Sequence, residues 1–136
     1  MTALKVIRHG RHFTIAIRAE DTTVVVAAFG LPIGWEMTDI DKSIRTALPE
    51  NWERIVFDLS KTDFADSSLL GLIRRYWQEA AVPGPDGRSR DVCILALPGT
   101  KMHEKLKLTR IDRRIRVVES LDAAEIHGGA GEFGQD

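Results

Sequence analysis

The stretch VFDLSKTDFADSSLLGLI, residues 56–73, changes its pattern midway. Its first part continues the β-branched and apolar run RIVFDLS, which is typical of a buried strand. After KTDFAD the apolar side chains recur at helical spacing, at Leu69, Leu72, Ile73, Tyr76, Trp77 and Ala80. The stretch therefore predicts a strand, a loop and an amphipathic helix that begins beside two adjacent serines, Ser67 and Ser68.

The segments before this stretch also show strand and helix patterns. Alternation of apolar with small or polar residues from Phe13 to Arg18, followed by the turn AEDT and the apolar run TVVVAAF, predicts a β-hairpin. A first helix is predicted before Pro49, because apolar residues recur at helical spacing there. Those residues are Met37, Ile40, Ile44, Ala47 and Leu48.

The later segments continue this alternation. DVCILAL predicts another buried strand, and a helix is expected near Thr100 with Met102, Leu106 and Leu108 on its apolar side. RIRVV predicts a short strand, and SLDAAEI a last helix. Strands separated by helices indicate right-handed βαβ crossovers. We therefore predict an α/β fold, in which an N-terminal β-hairpin leads into a mixed, mostly parallel sheet covered by about four helices.

Length, charge and cysteine content restrict the possible functions. The 136 residues favour one domain, which we expect over residues 1–126, with a flexible tail over 127–136. A formal net charge of −1 lacks the attraction that phosphate backbones require, so nucleic acid is not an expected partner. The single Cys93 excludes an intrachain disulfide and favours a reducing compartment. Without a secretory signal or a long apolar span, we expect a cytoplasmic protein with no membrane insertion.

The paired serines fall where parallel sheets place their binding sites, at the carboxyl edge of the strands. Asp66 or Ser67 can cap the helix by accepting a bond from a free backbone N–H, which leaves a hydroxyl at the positive end of the helix dipole. A phosphate on that hydroxyl would add about −1.5 to −2 charges at a place that favours anions. Residue chemistry alone leaves both a simple cap and a phosphorylation site open.

The sequence IVFDLSKTDFADSSLLGLI resembles the signature of the STAS domain, the fold of bacterial anti-sigma factor antagonists. In that family a strand ending in Asp-Leu-Ser is followed by a short loop and by Phe-x-Asp-Ser-Ser-Gly-Leu-Gly. The matching residues are Asp58, Leu59, Ser60, Phe64, Asp66, Ser67, Ser68, Leu70 and Gly71. The order of elements is also similar from roughly residue 11 to residue 126.

The resemblance implies a partner-switching regulator. The serine directly after the aspartate, Ser67 rather than Ser68, would be phosphorylated by a serine kinase that is itself the anti-sigma factor. The unphosphorylated protein would bind this kinase, phosphorylation would end binding, and a serine phosphatase would reset the switch. Partner contacts are expected from Asp66, Ser67, Ser68, Leu69, Arg74 and Arg75. No enzymatic activity, cofactor or metal is expected.

Two departures from the family pattern favour an alternative. Leu69 stands where the family has glycine, and GLPIG, residues 30–34, lacks the acid of the family's Gly-x-Leu-Asp turn. Leu69 also falls on the apolar stripe, where it would fill the core. The alternative is an unphosphorylated STAS domain that serves as a structural subunit of a signalling scaffold or a transport-associated complex, with Ser67 acting only as a cap.

The sequence contains weak signals for two further chemistries. VIRHGRH, residues 6–12, resembles the Arg-His-Gly motif of histidine phosphatases, but those enzymes need a second histidine, and the chain downstream offers only His103 and His127. Without its structural context, so short a motif is better explained by solvated residues around a turn. Asp58, Asp63 and Asp66 are close in sequence, but loop and capping roles explain them without a divalent metal.

Overall fold

A computed structural model describes residues 2–9, 13–30, 37–62, 67–84 and 87–122. These residues form one six-stranded sheet, three α-helices and a short 3₁₀ helix. The strands are β1 (Thr2–His9), β2 (Phe13–Glu20), β3 (Thr23–Gly30), β4 (Arg54–Lys61), β5 (Asp91–Leu95) and β6 (Arg116–Val118). The helices are α1 (Met37–Ala47), α2 (Ser67–Ala80), α3 (Lys101–Leu108) and the 3₁₀ helix Ile111–Arg113.

The strands lie in the sheet in their order along the chain, from β1 to β6. The pairs β1–β2 and β2–β3 are antiparallel, whereas β3–β4, β4–β5 and β5–β6 are parallel. The helices connect the parallel strands, which is the βαβ arrangement that the alternating sequence patterns predict. The α/β fold class, the hairpin and the mixed sheet are therefore confirmed.

Strand β1 was not predicted from the sequence. It pairs along its whole length with β2, from Thr2 opposite Glu20 to His9 opposite Phe13. Arg8 and His9 are therefore the end of a strand, and residues 10–12, which connect β1 to β2, lie outside the described ranges. The sequence of β1, TALKVIRH, does not alternate regularly, so its extended conformation depends on the ladder with β2.

The main core lies between the sheet and its helices. Alternate residues of the strands face it, as the period of two in a strand requires, and the buried sides of α1, α2 and α3 complete it. A second, smaller cluster lies on the other face of the sheet and contains Val56, Cys93, Leu95 and Val118. Because β4 and β5 are covered on both faces, their sequences read as continuous apolar runs.

Cys93 belongs to this smaller cluster and is fully buried. Burial raises the pKa of its thiol to about 12, because the thiolate would lose its hydration. Cys93 thus lies in the buried strand that DVCILAL predicts.

The helices follow the predicted faces, with one exception. Ile40 and Ile44 of α1 are buried, and α1 ends two residues before Pro49. In α3, Met102 and Leu106 are buried and the Thr100 hydroxyl caps the helix by accepting from the His103 N–H at 3.2 Å. Leu108 is 82% exposed, so its predicted place on the apolar side of α3 is wrong.

The physical reason for the exposure of Leu108 lies in helix geometry. Leu108 follows Leu106 by two residues, which turns its side chain about 200° away around the helix axis. Of the predicted last helix, only Ser120, Leu121 and Asp122 are described, and Leu121 packs against the smaller cluster. The predicted tail, residues 127–136, lies outside the described residues. No helix in the described ranges is long and apolar enough to cross a membrane.

Candidate partner-binding site on helix α2

The paired serines lie at the start of α2, on the carboxyl-edge side of the parallel strands. β4 ends at Lys61 and α2 begins at Ser67, as the central motif predicts. Ser67 is described by its backbone alone, and Asp66 lies outside the described residues, as do Asp63 and Phe64. The side chain of Ser68 is exposed, and the first turn of α2 contains no acidic residue.

The Asp-Leu-Ser part of the motif shapes the end of β4. The backbone N–H and the hydroxyl of Ser60 donate to Oδ1 of Asp58, at 2.9 and 2.6 Å. Ala27 of β3 lies opposite Asp58 while Phe29 lies opposite Lys61, so β4 contains one extra residue at this point. Such a bulge bends a strand and redirects the chain that follows it. Asp58 and Ser60 therefore act together to direct the chain out of the sheet.

A further hydrogen bond joins the ends of β3 and β4. The hydroxyl of Thr62, which is buried, donates to the carbonyl of Gly30. Gly30 has a φ of 88°, a conformation that glycine adopts without steric cost. The two parallel strands that precede the serine-bearing helix are thus fixed to each other at their carboxyl ends.

One face of α2 fills the core. Leu69, Leu72, Ile73 and Tyr76 are buried, and Trp77 and Ala80 pack partly against them, as helical spacing predicts. Leu69 is only 2% exposed, so its assignment as a partner contact is corrected: its side chain belongs to the core. The leucine that replaces the family glycine therefore adds no bulk to the outer surface of the helix.

The opposite face of α2 forms a stripe, which we define as Ser67, Ser68, Gly71, Arg74, Arg75 and Gln78. At 100° per residue, positions 67, 71, 74 and 78 fall within about 60° of each other around the helix axis. Ser68, Arg74, Arg75 and Gln78 are exposed, and Gly71 is half-buried. Ser67 and Arg74 are two turns apart, on the order of 10 Å along the axis. The predicted contact residues, other than Leu69 and the undescribed Asp66, thus share one helix face.

Gly71 gives this stripe a flat centre. A Cβ atom placed on Gly71 would meet no atom outside its own helix within 4 Å. Packing among the described residues therefore does not require glycine here, although glycine inside a helix costs roughly 0.5–1 kcal/mol relative to alanine.

The two arginines of the stripe differ in their surroundings. A nitrogen of Arg75 lies 3.6 Å from Oδ2 of Asp41 on α1, whereas no ion pair is described for Arg74. Both side chains point away from the core, as predicted. Among the described residues, Arg74 is thus the cation of the stripe without an ion pair.

A polar network joins α1 and α2 beside the stripe. The Tyr76 hydroxyl donates to Oδ1 of Asp41 at 2.6 Å, and Arg45 donates to both carboxylate oxygens of Glu79, at 2.7 Å to Oε1. The guanidinium carbon of Arg45 also lies 4.3 Å from the centroid of the Tyr76 ring. This network holds the serine-bearing helix against α1.

The network shifts the ionisation of its members. Burial, together with the hydrogen bond to Asp41, raises the pKa of Tyr76 well above that of an exposed tyrosine. The hydrogen bond from Arg45 lowers the pKa of Glu79, and the same bond raises the pKa of Arg45. The sequence offered one signal for this arrangement, since Tyr76 lies on an apolar stripe and a buried tyrosine hydroxyl needs a partner.

Among the described residues, those of the rival chemistries are not brought together, and His127, Asp63 and Asp66 lie outside the described ranges. His9 lies on β1 and His103 on α3, which follows β5, so four strand spacings, on the order of 19 Å, separate β1 from β5. A two-histidine phosphatase site therefore has no support in this geometry. Within the described ranges, no group of three or more histidine, cysteine or acidic side chains is placed to hold a metal ion.

Two solved structures resemble this chain over most of its length. An anti-sigma factor antagonist from Mycobacterium paratuberculosis superposes with a TM-score of 0.68 at 17% identity, covering 89% of this chain and 97% of its own. The anti-sigma factor antagonist SpoIIAA, in its unphosphorylated form, gives a TM-score of 0.59 at 17% identity, covering 93% and 97%. No protein-family model and no curated protein matches the sequence. The sheet, its helices and both structural likenesses agree that the chain has the STAS fold of anti-sigma factor antagonists.

Proposed function

We propose that this protein is a non-enzymatic regulator that acts in the cytoplasm as an anti-sigma factor antagonist. Its binding partner is a serine kinase of the anti-sigma type, and phosphorylation of Ser67 ends the binding until a serine phosphatase restores it. The observation that carries this proposal is the stripe of α2, which combines the positions of the motif serines, a glycine with open space above it and Arg74, for which no ion pair is described. The likeness to two anti-sigma factor antagonists supports it.

Gly71 supports an interface at this stripe. A glycine that the fold does not need lowers stability slightly, so a benefit outside the fold explains it best. Without a side chain at position 71, a partner backbone can approach α2 closely between the serines and Arg74. A docked helix or loop on this stripe would then lie across the modified residue.

The charge pattern supports control by phosphorylation. Before modification, the first turn of α2 carries no acidic residue, and Arg74 two turns away offers a positive charge to an acidic group of the partner. A phosphate on Ser67 would be stabilised locally by the free N–H groups at the helix start, so the fold would tolerate it. Its charge of about −1.5 to −2 would instead act on the partner, by repelling acidic groups and by resisting desolvation.

The burial of Leu69 bears on the alternative function. As a structural subunit, the protein would never be modified, and bulk from Leu69 near the serines would favour that function. Because Leu69 points into the core, it does not obstruct the approach of a kinase to the stripe. The alternative now depends on whether Ser67 is ever phosphorylated.

Phosphorylation can be tested with the purified protein, ATP and the anti-sigma type serine kinase encoded nearest to its gene. Intact-mass spectrometry should show the addition of one phosphate to the native chain and to Ser68→Ala, but none to Ser67→Ala. Ser89→Ala, which removes an exposed serine far from the motif in sequence, is the matched control and should be modified normally. Phosphate on Ser68 alone, or on neither serine, would overturn the switch and leave the structural-subunit function.

A further inference from the structure

Positive charge is concentrated in the last residues of α3 and directly after it. The proposed switch does not use this part of the chain. Residues 107–114, KLTRIDRR, contain four basic residues and one acidic residue, a net charge of +3. Since the whole chain has a net charge of −1, the remainder carries −4. We call this surface the basic corner and define it as Lys107, Leu108, Arg110, Arg113 and Arg114.

The cations of the basic corner, like Arg74, have no described carboxylate partner, whereas five other arginines of the described structure have one. Arg45, Arg54, Arg75, Arg88 and Arg116 each lie within ion-pair distance of a carboxylate. Lys107, Arg110, Arg113 and Arg114 are all exposed, and no ion pair is described for any of them. These four charges therefore do not serve to hold the described parts of the fold together.

An apolar side chain protrudes beside these cations. Leu108, the last residue of α3, is 82% exposed, the highest exposure of any large apolar side chain described. Arg110, two residues later, has a φ of 62°, where glycine would be less strained. An exposed leucine beside a strained arginine brings the fold no packing or backbone advantage.

Interaction with the helix dipole explains only part of the basic corner. Basic residues in the last turn of a helix interact favourably with its dipole, which accounts for Lys107. That effect falls off within the last turn, so it does not extend to Arg113 and Arg114 beyond the helix. Neither does it account for Leu108.

The basic corner and the start of α2 lie at opposite ends of the parallel strands. α3 begins after the carboxyl end of β5, and the chain then returns to start β6, which is parallel to β5. Residues 108–115 must therefore lie near the amino ends of the parallel strands. Ser67 follows the carboxyl end of β4, so the two surfaces can be occupied independently.

We propose that the basic corner is a second docking surface, for an acidic patch of a partner protein with an apolar depression that receives Leu108. Guanidinium groups match carboxylates with paired hydrogen bonds, and arginine is enriched in protein interfaces. Nucleic acid and anionic membranes fit less well, because both present extended negative charge to a molecule whose remaining surface carries −4. A compact acidic patch contacts the corner alone.

The proposal can be tested by fluorescence anisotropy with the full chain at about 50 mM salt. The probe is a labelled twelve-residue peptide of alternating glutamate and leucine, compared with a peptide in which glutamine replaces glutamate. The native chain should bind the acidic peptide at least tenfold more tightly, and Arg113→Glu should weaken that binding at least fivefold. Lys42→Glu, an equal charge change on the exposed side of α1, should have little effect.

Two variants separate docking from folding. Leu108→Ser should weaken peptide binding at least threefold without lowering the melting temperature. Arg110→Gly should raise the melting temperature by relieving the positive φ, yet weaken binding.

Equal binding by Arg113→Glu and the native chain, or no preference for the acidic peptide, would refute the proposal. Tighter binding to vesicles containing phosphatidylserine or to duplex DNA than to the peptide would replace it with a membrane or nucleic-acid surface.

Discussion

Along α2, the face turned to the sheet carries Leu69, Leu72, Ile73 and Tyr76, whereas the opposite stripe carries serines, Gly71 and arginines. On the buried face every side chain has a packing or hydrogen-bonding role within the protein. On the stripe, the glycine fills no space and Arg74 has no described ion pair. Stability thus accounts for the buried face of this helix, whereas the described residues give no such explanation for Gly71 and Arg74.

The largest expected effect is on the buried face. Leu72→Ala removes a side chain that is almost completely buried and leaves a cavity, so we expect a loss of roughly 2–5 kcal/mol in the free energy of unfolding. Denaturant titration followed by circular dichroism measures it. A loss comparable to that of an exposed arginine would mean that the two faces have been assigned wrongly.

Tyr76, on the buried face, combines burial with a hydrogen bond. Tyr76→Phe should cost about 1 kcal/mol, since the ring stays packed and only the bond to Asp41 is lost. Because the folded state raises the pKa of Tyr76, its stability contribution is complete below about pH 10 and decreases as the pH rises above that value.

The chain contains one tyrosine, so phenolate absorbance reports Tyr76 alone. In the folded protein the absorbance should rise only at a pH well above that of the urea-unfolded chain. Ionisation at the same pH in both states would contradict the buried network between α1 and α2.

A smaller effect, of opposite sign, is expected at the centre of the stripe. Gly71→Ala should stabilise the fold by roughly 0.5–1 kcal/mol, because the new methyl group meets only open space and the unfolded chain loses freedom. The same variant should bind the kinase partner more weakly if the partner backbone lies against position 71. Thermal melts and calorimetry measure the two effects, and a variant that is more stable and binds normally would remove Gly71 from the interface.

The smallest effect on stability is expected at Arg75. Its ion pair with Asp41 is exposed, and exposed pairs contribute little, so Arg75→Ala should change the free energy of unfolding by about 0.5 kcal/mol or less. The Leu72→Ala titration provides the scale for this measurement. A loss above about 1 kcal/mol would show that the stripe contributes to the fold after all.

The periodicity of the sequence predicted those features that depend on a single helix or strand. It gave the buried face of α2, the end of α1 before Pro49 and the strand character of β4 and β5. The prediction for Leu108 was wrong because residue 108 does not fit the helical spacing of Met102 and Leu106, and β1 was missed because its residues become a strand by pairing with β2. Contacts between elements distant in sequence, such as Arg45 with Glu79, leave no local pattern, so the polar network beside the stripe could not be predicted.

The most direct test of the switch is the affinity of the kinase partner for three forms of the full chain, measured by titration calorimetry. Ser67→Asp places a negative charge at the start of α2, where the fold tolerates it. We predict that its dissociation constant rises at least tenfold over that of the native chain, about 1.4 kcal/mol, and that Ser89→Asp, with the same charge in an exposed loop, binds like the native chain. Equal affinities for Ser67→Asp and the native chain would contradict the account.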